Sequence, residues 1–160
     1  MIGLMLGVLL SLAVVSFTMS SGRSLANLFN YVDMQYSSRQ TLDIMSRDMR
    51  QVAYLSAFAT NKLEFVQANG QKLVFEYDAA KGTLSRTDGT NATKVLLKQC
   101  DYLQFAIYQR APKTGTFDHD VSTNPSSAKI INVSWNCWRS ILGAKLTTES
   151  VQGAKIVIRN

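Results

Sequence analysis

Residues 1–22 read MIGLMLGVLLSLAVVSFTMSSG, a stretch with no charged side chain and no proline. Arg23 is the first ionisable side chain after it. A bilayer core roughly 30 Å thick needs about 20 mostly apolar helical residues. Length and composition therefore predict that residues 1–22 form a helix segment that lies in a membrane or in the apolar centre of an assembly of helices.

Small residues recur in this segment at Gly3, Gly7 and Ser11, one every four residues, so they share one helix face. Such spacing lets a second helix approach closely in lipid. We therefore predict that helices pack through a set that also includes nearby aliphatic side chains: Gly3, Leu4, Gly7, Leu10, Ser11 and Val14.

The segment ends in Ser20, Ser21 and Gly22, which are poor helix formers. Glycine inside a helix costs about 1 kcal/mol relative to alanine. These residues are a predicted soft point, where the helix thins, frays or bends between Ser16 and Gly22.

Residues 23–59 continue as an amphipathic helix in this interpretation. Apolar side chains keep three- and four-residue spacing, at Leu25, Leu28, Val32 and Tyr36, then at Leu42, Met45, Met49 and Val52. We expect the second half of this stripe to pack on the rest of the chain. The first half, with Phe29 and Tyr31, has more apolar surface than one small head can cover, so we expect neighbouring copies to cover it. A helix from Met1 to Ala59 would be about 85–90 Å long.

Residues 60–160 form the predicted head domain, because the hydrophobic period changes to two after Thr60. An Asn69-Gly70 turn between two alternating segments is a strong hairpin signal. The predicted strands are Leu63–Val66, Lys72–Tyr77, Thr83–Thr87, Val95–Leu97, Tyr102–Gln109, Lys129–Trp138 and Ala154–Arg159. Short turns leave no room for helical crossovers before residue 109, so the predicted fold class is α+β, a long N-terminal helix packed on an antiparallel sheet.

The polar stretch 111–127 contains both prolines, Pro112 and Pro125, and is predicted to be a long exposed loop. The only two cysteines, Cys100 and Cys137, each lie in or beside a predicted strand. If the head is exported, a disulfide between them would stabilise the fold by roughly 4 kcal/mol. The alternative is two buried free thiols.

Catalytic and cofactor signatures are missing from the sequence. His119 is the only histidine, and no nucleophile elbow, P-loop or dinucleotide-binding motif is present. Asp118, His119 and Asp120 could supply metal ligands, but adjacent residues do not all face one point. The net charge of +6 comes from scattered single basic residues. We therefore expect no enzyme, no cofactor and no metal.

Several stretches resemble type IV pilins and, most closely, the minor pilin and pseudopilin branch. They are NYVD at 30–33 and LDIMSRDMRQ at 42–51 in the helix, and LVFEYD at 73–78, GTLSR at 82–86 and CDYLQF at 100–105 in the head. Together with the apolar N-terminal segment, the resemblance spans nearly the whole chain. It implies a pilin-like fold and a structural role.

Proteins of this family are made as inner-membrane precursors and stack by their N-terminal helices into a thin filament. The resemblance implies that a prepilin peptidase cleaves and N-methylates the chain, with Met1 as the processed terminus. It also implies identical subunits and an inner-membrane assembly platform as partners. The expected location is the bacterial inner membrane, then an extracellular filament or a periplasmic pseudopilus.

One position departs from the family, which usually carries a glutamate at mature position five. This chain has Met5, and its first acidic residue is Asp33. Tip-type minor pseudopilins also lack the glutamate, so a minor or tip subunit of a type II secretion or DNA-uptake machine is the first alternative.

Two other functions fit parts of the sequence. A single-span membrane-anchored receptor could use the same apolar segment. A filament could also attach to surfaces or capture DNA. DNA capture could use Arg110 and Lys113 to contact phosphates, and Tyr108 and Phe117 to stack on bases. Core or loop packing is the ordinary role of those two aromatic residues.

Overall fold

The computed structural model describes residues 2–89, 93–110, 119–141 and 144–158. Helix α1, Ile2–Gln51, opens the chain and is 50 residues long, which corresponds to about 75 Å. Nine strands follow within these described ranges, all paired antiparallel, in two sheets. The fold is therefore α+β, with one long N-terminal helix packed against antiparallel sheets.

The prediction that the helix runs to Ala59 was wrong, because strand β1 occupies Val52–Ala59. This strand pairs with β2, and its register shifts twice, between Val52 and Tyr54 and again between Leu55 and Ala57. Such bulges break strict alternation. They leave Val52 and Leu55 buried three residues apart, the spacing of a helix face. The head therefore begins at residue 52 and not at residue 60.

The first sheet is a simple meander in the order β1-β2-β3-β4-β5. Its later strands are β2 Lys62–Gln67, β3 Lys72–Asp78, β4 Thr83–Asp88 and β5 Lys94–Leu97, close to the predicted limits. Gly82 in the turn before β4 has a φ of 59°, and a Cβ there would lie 2.8 Å from the Cys100 carbonyl oxygen. Only glycine fits that approach to the next sheet.

The second sheet has the order β7-β6-β8-β9. Its strands are β6 Cys100–Arg110, β7 His119–Ser122, β8 Ile130–Ile141 and β9 Ala144–Val157. Where one exposed loop was predicted at 111–127, the structure has strand β7 on the edge of β6 and a 3-10 helix at Pro125–Ser127. Residues 111–118 lie outside the described residues. The last strand begins ten residues earlier than predicted and contains two register shifts against β8.

One hydrophobic core joins α1 to both sheets. The helix contributes Met34, Met45 and Met49, each fully buried. Phe65 and Phe75 meet edge to face in the first sheet, with ring centroids 6.3 Å apart. Phe105 and Trp135 fill the second sheet's share of the core. Because the sheets share this core with only one end of the helix, the other end of α1 projects away from the head.

Candidate assembly surface

The projecting half of α1, residues 2–33, is the most unusual surface of the molecule. Every residue from 5 to 29 is exposed, and from residue 5 onward the first buried residue of the helix is Met34. Met5 is 72% exposed and Phe17 is 74% exposed. A soluble monomer does not leave a contiguous apolar surface of this size in water. This half of the helix therefore needs an apolar environment or a partner.

Within the described residues, one helix is long and apolar enough to cross a membrane, and it is α1. Its uncharged portion extends to residue 22, which at 1.5 Å per residue matches a hydrocarbon core roughly 30 Å thick. The apolar character continues beyond that point. Leu25, Leu28, Phe29 and Val32 are all more than half exposed. They add about 15 Å of apolar helix that a flat bilayer would not cover.

The predicted packing residues lie in this projecting half, and the structure leaves them uncovered. A Cβ added at Gly3 or Gly7 would meet nothing within 4 Å. The Ser11 hydroxyl donates to the Gly7 carbonyl oxygen at 2.7 Å, so this polar group is satisfied inside the helix. Leu10 and Val14 are both exposed. Leu4 is helical, and Met1, the predicted processed terminus, lies outside the described residues. Packing of this set against a second helix stays a prediction.

At the predicted soft point, α-helix is unbroken through Ser20, Ser21 and Gly22. A Cβ at Gly22 would also meet nothing within 4 Å, so the glycine is not required by packing inside the chain. Loosening of these residues in a membrane or an assembly stays a prediction.

The docked half of α1, residues 34–51, meets the head through a face of which the sequence interpretation had found only a part. Met45, Met49 and Val52 of the predicted stripe are buried, whereas Tyr36, in the half of the stripe expected to meet neighbouring copies, is exposed in the single chain. The buried positions repeat at spacings of three and four, and some of them are polar: Met34, Ser38, Thr41, Met45, Asp48 and Met49. A stripe traced through apolar residues alone misses part of this face, because Ser38 and Thr41 are polar.

Each buried polar group on this face has a specific partner in the head. The Trp135 indole nitrogen donates to the Ser38 hydroxyl at 3.3 Å. The Thr41 hydroxyl donates to the Leu96 carbonyl oxygen at 3.3 Å. Since unpaired buried polar groups are costly, these contacts fix both the rotation and the height of the helix against the sheets.

Asp48 and Arg86 form the strongest tie between helix and head. Asp48 is 7% exposed, and its carboxylate accepts a hydrogen bond from Arg86 Nε at 2.5 Å. Arg86 also donates to Asp88 at 2.9 Å, and Gln67 donates to the other oxygen of Asp88 at 2.7 Å. Burial opposes the charge of Arg86, but hydrogen bonding to Asp48 and Asp88 outweighs it and raises the pKa of the guanidinium.

The predicted disulfide is present between Cys100 and Cys137. These residues lie opposite each other in the register of β6 and β8, and both are buried. The disulfide joins β6 and β8, the two central strands of the second sheet. The Tyr77 hydroxyl of the first sheet donates to the Cys100 carbonyl oxygen at 2.9 Å, which joins the two sheets beside the bridge.

The residues considered for DNA contact are not gathered into a described site. Tyr108 is half-buried in β6, between Val121 of β7 and Ile130 of β8. Lys113 and Phe117 lie outside the described residues, and Arg110 is the last residue of β6.

The metal motif considered at 118–120 is likewise only partly described. His119 and Asp120 are consecutive strand residues and point to opposite faces of the sheet. Among residues 2–89, 93–110, 119–141 and 144–158, no group of three or more His, Cys, Asp or Glu side chains could hold a metal ion.

No protein-family model, no curated protein and no solved structure matches this chain.

Proposed function

We propose that this chain is a structural subunit of an extracellular, type IV pilus-like filament that assembles by side-by-side packing of the projecting halves of α1. The exposed apolar surface between residues 5 and 29 carries this proposal. The head docks only on the far end of the helix, which leaves the projecting half available to other copies.

The extent of the apolar surface favours a filament over a single-span receptor. Lipid could cover residues 2–22, but a receptor would leave Leu25, Leu28, Phe29 and Val32 in water. Burying one such side chain is worth about 1.5–3 kcal/mol. Neighbouring helices in a filament would cover these four together with the membrane-length segment.

The proposed life cycle follows from the pilin resemblance. The membrane holds the chain before assembly, a prepilin peptidase processes its N-terminus, and an inner-membrane platform inserts it among identical subunits. The chain performs no catalysis and takes no cofactor in this proposal. Contact of the finished filament with DNA or surfaces would be made by the heads.

A second candidate is a minor or tip pseudopilin of a type II secretion or DNA-uptake machine. The sequence feature that favours it is Met5, at the position where the family usually carries glutamate. The proportion of this chain in purified filaments separates the candidates, because a bulk subunit dominates the mass and a tip subunit is rare.

Assembly can be tested with the full-length chain through the reactivity of one added thiol. The native cysteines are bonded to each other, so in Phe29→Cys only the new thiol should react with a membrane-impermeant maleimide. Phe29 is 69% exposed in the single chain. We expect rapid labelling in detergent, and labelling at least about tenfold slower once electron microscopy shows filaments.

Tyr54→Cys is the matched control, because Tyr54 is exposed on the head and should react equally in both states. A chain that stays dispersed in the membrane, with the thiol at position 29 reactive throughout, would support the receptor and contradict the filament.

A further inference from the structure

We propose that neighbouring copies of this chain lie parallel, displaced by ten residues along α1, and are held in register by an ion pair between Arg23 of one copy and Asp33 of the next. This inference rests on the proposed assembly through the projecting halves of α1, and it specifies how two copies meet.

Arg23 is the only charged side chain among residues 1–32. It is exposed, and it makes no ion pair with any residue that the structure describes. Its neighbours on the helix surface are Met19, Ser20, Ala26 and Asn27, all of them uncharged. Packing a second helix over this region would desolvate the guanidinium, which is strongly unfavourable unless a carboxylate meets it.

Asp33 is the nearest carboxylate along the helix and the one best able to accept a partner. It is 66% exposed, and its only ion pair within the described residues is a 3.5 Å contact from Arg139 to one of its two oxygens. Residues 29, 30, 36 and 37, its neighbours on the helix surface, include no base. The next acid, Asp43, lies between Arg39 and Arg47 at four-residue spacing, and Asp48 is bonded to Arg86.

Arg23 and Asp33 cannot pair within one chain. Ten residues separate them by about 15 Å along the axis and by about 80° around it. A parallel copy displaced by the same 15 Å brings the two groups to one height. Because Arg23 and Asp33 lie on different faces of the helix, Arg23 of one copy can pair with one neighbour while Asp33 of the same copy pairs with another. Such a head-to-tail contact repeats without closing, which is what a filament requires.

Disulfide cross-linking between two tagged full-length versions tests the displacement. Ser16 and Ala26 lie seven residues before Arg23 and Asp33, so they occupy the same two faces. We expect Ser16→Cys in one version to cross-link with Ala26→Cys in the other at least about fivefold more than with Met19→Cys, which lies on the same face as Ala26 at a displacement of three residues. An antiparallel pair aligned on Arg23 and Asp33 would place residue 16 against residue 40 and would give neither product.

Charge exchange tests the ion pair itself. Arg23→Asp and Asp33→Arg should each lower the yield of sedimentable filaments at least about tenfold, and the double exchange should restore it to within about twofold. Asp33→Asn should weaken assembly while the matched Asp43→Asn should not. Unchanged tryptophan fluorescence from the head would show that each variant still folds.

The outcomes separate this inference from the proposed function. Filaments that form with equal cross-linking at displacements of 10 and 3 residues would overturn the register and leave the filament standing. If Arg23 contacts only lipid phosphates, Asp33→Asn would weaken assembly no more than Asp43→Asn does, and the double exchange would not restore the yield of filaments. That result also overturns the ion pair. If no variant or wild-type chain assembles, both proposals fail.

Discussion

Replacing Arg86 by methionine tests how rigidly the head is held on the helix. The substitution keeps the length of an unbranched side chain and removes the guanidinium that donates to Asp48 at 2.5 Å. Removing one member of a buried ion pair costs about 3–5 kcal/mol, because the other charge stays buried without a partner. Arg86 is 21% exposed, and Arg47 remains 3.6 Å from the Asp48 carboxylate. We therefore expect a loss of about 2–3 kcal/mol.

The double variant with Asp48→Asn shows whether the buried charge causes this loss. Asparagine keeps the shape of the side chain and removes its charge, so the double variant should be more stable than Arg86→Met alone. The coupling between the two positions should be at least about 1 kcal/mol. Arg39→Met is the matched control, because Arg39 is an exposed arginine of the same helix, and it should change stability by less than about 0.5 kcal/mol.

Urea unfolding of the full-length chain in detergent, followed by tryptophan fluorescence, measures these differences. Trp135 is buried and donates to Ser38 of the docked half, so its emission reports on the helix–head contact directly. A loss below about 1 kcal/mol for Arg86→Met, together with a double variant no more stable than the single one, would refute the view that this pair ties the helix to the head.

Three further predictions concern the head. The hydrogen bond from Lys62 at 2.9 Å lowers the pKa of the Glu64 carboxyl, so its contribution is present above the ordinary carboxyl pKa and lost as pH falls through the lowered value. Glu64→Gln should therefore cost about 0.5 kcal/mol near pH 7 and nothing once the pH is below that lowered value, as measured in urea titrations. Burial raises the pKa of Tyr77, so the stability that Tyr77 contributes is full below about pH 10 and falls as pH rises through the raised value. Tyr77→Phe should cost about 1 kcal/mol at neutral pH, because the Cys100 carbonyl oxygen loses its donor. The same variant should lose less stability at alkaline pH in thermal melts, and an unchanged alkaline loss would contradict this assignment. Replacing Cys100 and Cys137 together by alanine opens a loop with a sequence separation of 37 and should cost about 4 kcal/mol in urea unfolding, and a loss under about 1 kcal/mol would contradict the entropic estimate.

The limits of most strands could be predicted because alternation and turn residues are local signals. Gly70, in the hairpin turn that the sequence predicted, adopts positive φ, as do Gly82 and Gly89 in later turns of the first sheet. Strand β1 could not be predicted in this way. Its two register shifts place Val52 and Leu55 on one side at helical spacing, and only its pairing with β2 decides between helix and strand.

The docked face of the helix was harder to find than the projecting one. An uncharged run of 22 residues is visible in any hydropathy pattern. Ser38, Thr41 and Asp48, in contrast, are ordinary surface residues by composition, and they are buried only because the head supplies Trp135, the Leu96 carbonyl oxygen and Arg86. The spacing of three and four between Met34 and Met49 contained the information, provided that polar residues were allowed on the buried face.

The two halves of α1 therefore solve different physical problems. Along the docked half, three buried polar groups each require one particular partner, so the head can sit on the helix in only one way. The uncharged part of the projecting half, up to residue 22, makes no such demand, since Ser11 and Thr18 donate to carbonyl oxygens of their own helix and most of the other side chains there are apolar. Lipid chains and neighbouring helices are almost equally good solvents for that surface, which suits a subunit that moves from a membrane into a filament. Because this surface packs almost equally well against lipid and against helices, apolar packing alone would not fix how far one copy is displaced along the helix axis of the next. Arg23 lies just beyond the membrane-length segment, and Asp33, the nearest acidic side chain, lies ten residues further on with one oxygen in contact with Arg139. An ion pair between Arg23 and Asp33 of neighbouring copies would supply the missing register.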